Sequence, residues 1–459
     1  MRPGPRGPLA RRECFAIGRL EAATMPRPRL CERFDEKGLP RGMLTFEAKL
    51  NRSSHGSFGC HGWQALWALF LTAFALFAAG VQSASADPLA IKVGVIHEAH
   101  SRETISILDI PPADDFIAGA RMAMDDNNTT GRFLDQSFSV VDAKLSAGED
   151  PIAPLKEMLA DGVRFFIVDL PAAEVLAVAD AARSSGALVF NAGAPDERLR
   201  EDDCRANVIH VAPSRSMLTD ALAQYLIWKQ WRRWLLVVGS HPEDQLLAEA
   251  YRRSAKKFGA KIIDERVYQD TGGGRRSDSG SVQVQRQMPV FTQNAPDYDV
   301  LVAADESEVF AGFLPYRTWD PRPVVGSAGL RPVSWDPSHE FWGAVQLQNR
   351  FQRLFKRGMN ARDNQAWVAM RLIGDAVAHT KSSDPKTIHD DILSPGFALG
   401  AFKGQGLTVR DWNQQLRQPI LLTDGRGTVS VSPQEGFLHQ TSELDTLGLD
   451  RPETKCKLQ

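Results

Sequence analysis

From Ile91 onward, short β-branched runs alternate with stretches whose apolar residues recur at helical spacing, the pattern of a parallel sheet covered on both faces. IKVGVI (Ile91 to Ile96) predicts a first strand, and residues 113–127 predict a helix. SFSVVDAKL from Ser137 predicts a second strand. A helix follows near Asp150, whose carboxylate, with Pro151, suits a cap and first turn. VRFFIVDL (163–170), a helix over 172–183 and ALVFNAG (187–193) complete a first half.

The pattern then restarts. NVIHVAPS (207–214) precedes a helix over 215–230, and WLLVVGS (234–240) reads as a fully buried strand. A helix over 244–258 sets Leu247, Tyr251, Ala255 and Phe258 on one stripe. AKIIDERVY, DVLVAADE (299–306) and PVVGSAG (323–329) continue the alternation, while TGGGRRSDSGS at 271–281 predicts an exposed loop. From Trp342 the chain offers helices over 345–357 and 364–380 and then a Gly/Pro-interrupted tail, enough to return to the first half and cross once more. The predicted class is α/β, with two Rossmann-like lobes joined by a multi-strand hinge. Lobe 1 is expected from residues 87–212 with 342–415, and lobe 2 from 213–341 with part of 416–459. Parallel sheets of this kind place ligands outside the carboxyl ends of their strands, so the expected site is the cleft between the lobes.

The first 86 residues read as separate from this fold. Residues 1–42 are rich in Arg and Pro with no apolar period. WQALWALFLTAFALFAAG (63–80) is uncharged, follows basic residues and ends in Ala84-Ser85-Ala86, which a signal peptidase accepts. Export by a cleavable signal peptide, with cleavage near Ala86/Asp87, is the expectation, and Met43 is the start that gives an ordinary leader; a permanent membrane anchor is the alternative. Cleavage leaves two of the five cysteines, Cys204 and Cys456, an even count that suggests one disulfide in an exported chain, with free thiols as the alternative.

Charge narrows the choice of partner. A formal net charge of -2 with 24% charged residues lacks the basic footprint of nucleic-acid binding. The nucleophile elbow Gly-x-Ser-x-Gly is absent from the sequence, and His97-Glu98-Ala99-His100 lacks the four-residue His spacing of a zinc helix. GGGRR at 272–276 has no Lys-Ser/Thr after it, so no phosphate loop is expected, and Asn127-Asn128-Thr129-Thr130 is read as a turn. No catalytic residues and no cofactor are expected.

The units IKVGVI, ADDFIAGARMAMDDNN, FFIVDL, LVFNAGA, WLLVVGS and VLVAADE together resemble type I periplasmic binding proteins of the branched-chain amino acid receptor class. NVIHVAPSRSMLTDALAQYLIWKQW and SPQEGFLHQTSELDTLGLDRPETKC resemble, more narrowly, the subgroup encoded beside PQQ-dependent alcohol dehydrogenase systems. The resemblance implies a monomeric periplasmic receptor that closes on a small-molecule solute and delivers it to an ABC permease, with a PQQ-dependent dehydrogenase as a possible further partner. An accessory or chaperone-like role in that system is the alternative.

Receptors of this class hold an amino acid with Ser and Thr hydroxyls after strands three and four and with an acid from the second lobe. Here those loops read Pro171-Ala172-Ala173-Glu174, Ala194-Pro195-Asp196 and Gly326-Ser327-Ala328-Gly329, which speaks against an amino acid. The polar groups at predicted strand ends, taken as candidate ligand contacts, are His97, Glu98, Asp169, Asn191, Gly193, Asp305, Glu306 and Ser327, with Trp335 as an aromatic candidate. Several acids around one cleft favour a cationic or polyhydroxylated ligand, and oxygen donors would also suit a metal ion or metal complex.

Overall fold

The protein is described by a computed structural model over residues 88–100, 110–271 and 278–458. The predicted leader, residues 101–109 and the GGGRR segment lie outside the described residues. Five parallel strands, β1 (Leu89–Glu98), β2 (Gln136–Leu145), β3 (Phe165–Asp169), β4 (Leu188–Asn191) and β5 (Val208–His210), form a sheet in the order β2-β1-β3-β4-β5. Helices α1 (Ile117–Gly131), α2 (Ile152–Ala160) and α3 (Ala172–Arg183) make the crossovers. FFIVD and LVFN are buried throughout, as strands covered on both faces must be.

A second parallel sheet repeats the plan with β6 (Arg233–Gly239), β7 (Lys261–Tyr268), β8 (Val300–Ala304) and β9 (Val324–Gly326), in the order β7-β6-β8-β9. Its helices are α4 (Arg215–Trp228), α5 (Pro242–Phe258) and α6 (Asp278–Thr292). Pro242 opens α5, and Gly259, at φ 77°, ends it in the left-handed conformation that an unbranched backbone tolerates. Strand order reverses at β1 in one sheet and at β6 in the other, so each sheet opens a crevice beyond its strands' carboxyl ends.

The last third shuttles between the two sheets. β10 (Arg331–Val333) joins β13 (Ile420–Thr423) and β14 (Thr428–Ser432) in an antiparallel sheet, and Leu422 shares a core with α4 and the second parallel sheet. α7 (Ala344–Phe355) and α8 (Ala361–Thr380) return to the first, where Phe351, Trp367 and Ile373 pack with Val93, Ile167 and Phe190. α9 (Pro385–Ile392) and the pair β11 (Thr408–Val409)/β12 (Leu416–Arg417) follow. The chain therefore crosses three times, after β5, β10 and β12. Buried side chains tie the first crossing to the third: the Gln418 amide donates to the Val211 carbonyl at 2.7 Å, and the Gln415 amide to those of His210 and Ala212 at 3.1 Å.

α1 packs on α8 at backbone distance because glycines face the contact. A Cβ at Gly119 would fall 1.8 Å from the Asp363 carbonyl oxygen, and one at Gly374 would fall 2.3 Å from the Asn127 amide. Cys204 and Cys456 form the disulfide suggested by their number, with Cα atoms 5.6 Å apart. Among the described residues, no helix is long and apolar enough to cross a membrane.

Two expectations fail. Residues 278–281 belong to α6 and not to a loop; Val284, Met288 and Phe291 recur at helical spacing against the core, a stripe that Gly, Ser and Pro289 disguise. Asn127 to Thr130 is not a turn but the end of α1, where the Asn127 amide donates to the Met370 carbonyl of α8.

Candidate functional site

Beyond the carboxyl ends of β4, β8 and β9 lies a cavity of about 340 Å³, lined by residues of both parallel sheets' lobes. Gly193 and Pro195 come from the loop after β4, Arg362 and Gln365 from the start of α8. Glu306, Ser327, Leu247 and Tyr251 come from the other side. The volume suits a ligand of amino-acid to sugar size.

Arg215, the first residue of α4, spans this gap. Its Nε and Nη2 donate to the two carboxylate oxygens of Glu306, each at 2.6 Å, while Nη1 lies 3.2 Å from Asp196 in the loop after β4. Burial alone lowers the pKa of Arg215, but hydrogen bonds to Glu306 and the charges of Glu306 and Asp196 reverse that and raise it. Burial pushes Glu306 up, with Arg215 opposing. A second arginine repeats the device: Arg362 donates from Nε to Asp169 at 2.8 Å and from Nη1 to Asp115 at 2.7 Å.

The second-lobe wall is fixed by Asp305, which accepts the backbone N–H groups of Val309, Phe310 and Ala311 at 2.9, 2.8 and 2.6 Å. Burial raises its pKa, and these amides partly oppose the rise. Its own N–H donates to the Ser327 hydroxyl at 2.9 Å. Beside Ser327, Gly326 sits at φ 100°, and a Cβ there would come within 3.1 Å of the Tyr251 hydroxyl. Tyr251 is 2% exposed, and its hydroxyl meets no described donor or acceptor.

The first-lobe wall depends on Asn191. Its carbonyl oxygen accepts the N–H of Ala194 at 2.9 Å, and its amide donates to the Ala194 carbonyl, also at 2.9 Å, shaping the loop that presents Gly193. Gly193 must be glycine, because a Cβ would fall 1.9 Å from an Asp169 carboxylate oxygen.

Of the residues chosen from sequence, Gly193, Asp305, Glu306 and Ser327 line the cavity. Asp169 and Asn191 stand directly behind its lining residues. His97 and Glu98 are not among the lining residues: His97 is buried against Asp142 at 3.1 Å, and Glu98 accepts the N–H of Gly148 at 3.0 Å. Trp335 is corrected outright, because it is 1% exposed and belongs to the core beneath α7 and α8. The expected convergence of free acids is also corrected, since Asp169 and Glu306 are each neutralised by an arginine and Asp305 is saturated by amides. Among the described residues, no group of three or more His, Cys, Asp or Glu side chains is placed to hold a metal ion.

Sequence reading missed Arg215, Arg362 and Tyr251. Arg215 carried one signal, its position as first residue of a helix just past a strand's carboxyl end. Tyr251 looked like any core member of its stripe, and Arg362 reaches the site only through the second crossing.

Comparison with known proteins agrees with this fold. The family described as "Periplasmic binding protein" matches residues 111–285. No curated protein matches the chain. A periplasmic binding protein from Burkholderia mallei is similar in structure, with a TM-score of 0.58, 15% identity and coverage of 82% of this chain and 100% of that one. An amino acid ABC transporter substrate-binding protein from Pseudomonas fluorescens Pf-5 gives 0.59 at 13% identity, covering 80% and 99%. A branched-chain amino acid transporter substrate-binding protein from Streptococcus pneumoniae, in complex with isoleucine, gives 0.56 at 13% identity, covering 74% and 98%. At these identities the likeness establishes the fold, that of type I periplasmic binding proteins.

Proposed function

Starting from a chain with the type I periplasmic binding protein fold, we propose that it is an exported, monomeric receptor that captures a small solute in the interlobe cleft and delivers it to an ABC permease. The observation that carries this reading is the cavity itself: it lies beyond strand carboxyl ends of two parallel sheets, and residues from both sides line it. The backbone passes between the sheets at three crossings, an arrangement suited to hinge closure. A ligand touching both walls favours the closed form by its differential contacts.

The link to PQQ-dependent alcohol oxidation rests on the two sequence stretches that resemble that subgroup. One of them, 432–456, runs from β14 through the tail to the disulfide. Gene neighbourhood and co-purification of a dehydrogenase test it. The receptor reading is tested by melting the mature protein with the small-molecule fraction of its native periplasm. Ligand at a hundred times its Kd stabilises by about 2.7 kcal/mol, which raises the melting temperature and accompanies a smaller radius of gyration. A melting curve and scattering profile indifferent to that fraction would overturn the reading.

A further inference from the structure

Among the described residues, the cleft's charged groups are paired with one exception, Arg331. Arg215 is held by Glu306 and Asp196, and Arg362 by Asp169 and Asp115. Asp305 is filled by three amides, and Glu308 is not free either. Arg331 lines the cavity, but its guanidinium reaches the β13–β14 turn, where Nη2 would lie 3.5 Å from a Cβ at Gly425. The other polar groups that lack an answer are neutral. The Tyr251 hydroxyl, on a ring only 2% exposed, has no described partner. Ser327 accepts from Asp305, leaving its hydroxyl proton to donate. Gln365 gives its N–H to Ser334 at 3.0 Å and keeps its carbonyl oxygen. Leu218, Leu247 and Val333 supply apolar wall.

We infer that the cleft selects a small uncharged solute bearing hydroxyl groups and rejects amino acids and simple ions, because the Tyr251 hydroxyl, which has no described partner, and the Ser327 hydroxyl, whose proton is left to donate, face a cavity in which Arg215 and Arg362 are already paired with acids while Arg331 reaches toward the β13–β14 turn. This inference rests on the receptor reading. A ligand carboxylate seeking Arg215 or Arg362 must draw it away from an acid it already holds, and a ligand ammonium must draw an acid away from its arginine. Either exchange gives up one charge-assisted pair for another and strips the ligand of water as well. A hydroxyl avoids that exchange. It both donates and accepts, which matches Tyr251 and Ser327, and it can donate to spare carboxylate lone pairs while the ion pairs stay intact.

The test separates a native periplasmic small-molecule extract by charge. A strong cation exchanger in acid removes amino acids and amines, an anion exchanger then removes acids, and the flow-through is neutral. The neutral fraction is expected to raise the melting temperature of the mature protein by several degrees, equally in dilute buffer and in concentrated salt. Tyr251→Phe is expected to lose most of that shift while its unliganded melting temperature stays close to that of the parent, since the hydroxyl has no protein partner to lose. Stabilisation by the acidic or the basic and zwitterionic fraction, with none from the neutral one, overturns this inference and leaves the receptor reading standing. Silence from all three fractions overturns both.

Discussion

Arg215 holds Glu306 at both carboxylate oxygens, through Nε and Nη2, with both hydrogen bonds at 2.6 Å and the arginine almost wholly buried. Because Asp196 approaches the same guanidinium from the other lobe, one cation holds two acids together across the cleft. Arg215→Met leaves those acids facing each other with no counter-charge. A loss of about 3 kcal/mol is expected, the range for breaking a partly buried pair by removing one partner. Glu306 already has a raised pKa, and removing Arg215 raises it further, so the variant's deficit grows as pH rises through that value. Urea unfolding of parent and variant at pH 5 and pH 8 checks this, with the larger deficit expected at pH 8.

The α1–α8 contact predicts a sharp contrast between two glycines. A Cβ at Gly119 meets the Asp363 carbonyl oxygen, carbon and Cα at 1.8, 2.6 and 2.9 Å, all of them backbone atoms that cannot swing aside. Gly119→Ala therefore forces two packed helices apart, and a loss of about 3 kcal/mol is expected. Gly396→Ala meets nothing within 4 Å and should change stability by less than about 0.5 kcal/mol. Thermal melts of the two variants decide it.

Lys403 is wholly buried, donates to Gln418 at 2.6 Å, and burial lowers its pKa from 10.5 to about 7. The unfolded chain therefore binds more protons than the native one between about pH 7 and pH 10.5, so stability rises with pH through that window and levels off below it. Replacing Lys403 with Met removes the slope and stabilises the protein at pH 7, by an amount bounded at ~5 kcal/mol from the shift. Denaturation of both proteins at pH 7 and pH 9.5 measures the difference. The gap should narrow at the higher pH.

Loss of the Cys204–Cys456 bridge opens a loop that spans a sequence separation of 252. The chain-entropy account puts the cost of the Cys204→Ser/Cys456→Ser pair at up to about 5 kcal/mol. Reducing agent should lower the melting temperature of the parent toward that of the double variant and leave the double variant unmoved.

The fold was legible because its strands are continuous apolar runs: VRFFIVDL, WLLVVGS and VLVAADE announce a doubly covered sheet whatever surrounds them. α3 begins and ends where its sequence pattern does, at Ala172 and Arg183. α6 was not legible, since Pro289 and the Gly/Ser run at its start weigh against a helix that its stripe on the core nevertheless supports. Part of the cleft wall was visible, as Gly193, Asp305, Glu306 and Ser327 at the ends of strands. The rest was hidden for two reasons. A side chain's partner can lie far away in sequence, as Arg362 does from Asp169, so a free acid and a paired one look identical in the chain. A tyrosine on an apolar stripe also gives no sign of where its hydroxyl emerges. Trp335 failed for the converse reason, because proximity to the cleft in sequence did not stop it from turning into the core.

The central claim is that two lobes close on a solute, and a distance across the cleft measures it. Spin labels at Lys156→Cys on α2 and Lys256→Cys on α5, both exposed positions, report the separation of the lobes by pulsed electron resonance in the mature protein. Adding the small-molecule fraction of the native periplasm should shift the distance distribution shorter by several ångströms and narrow it. A distribution that is identical with and without that fraction would contradict the account.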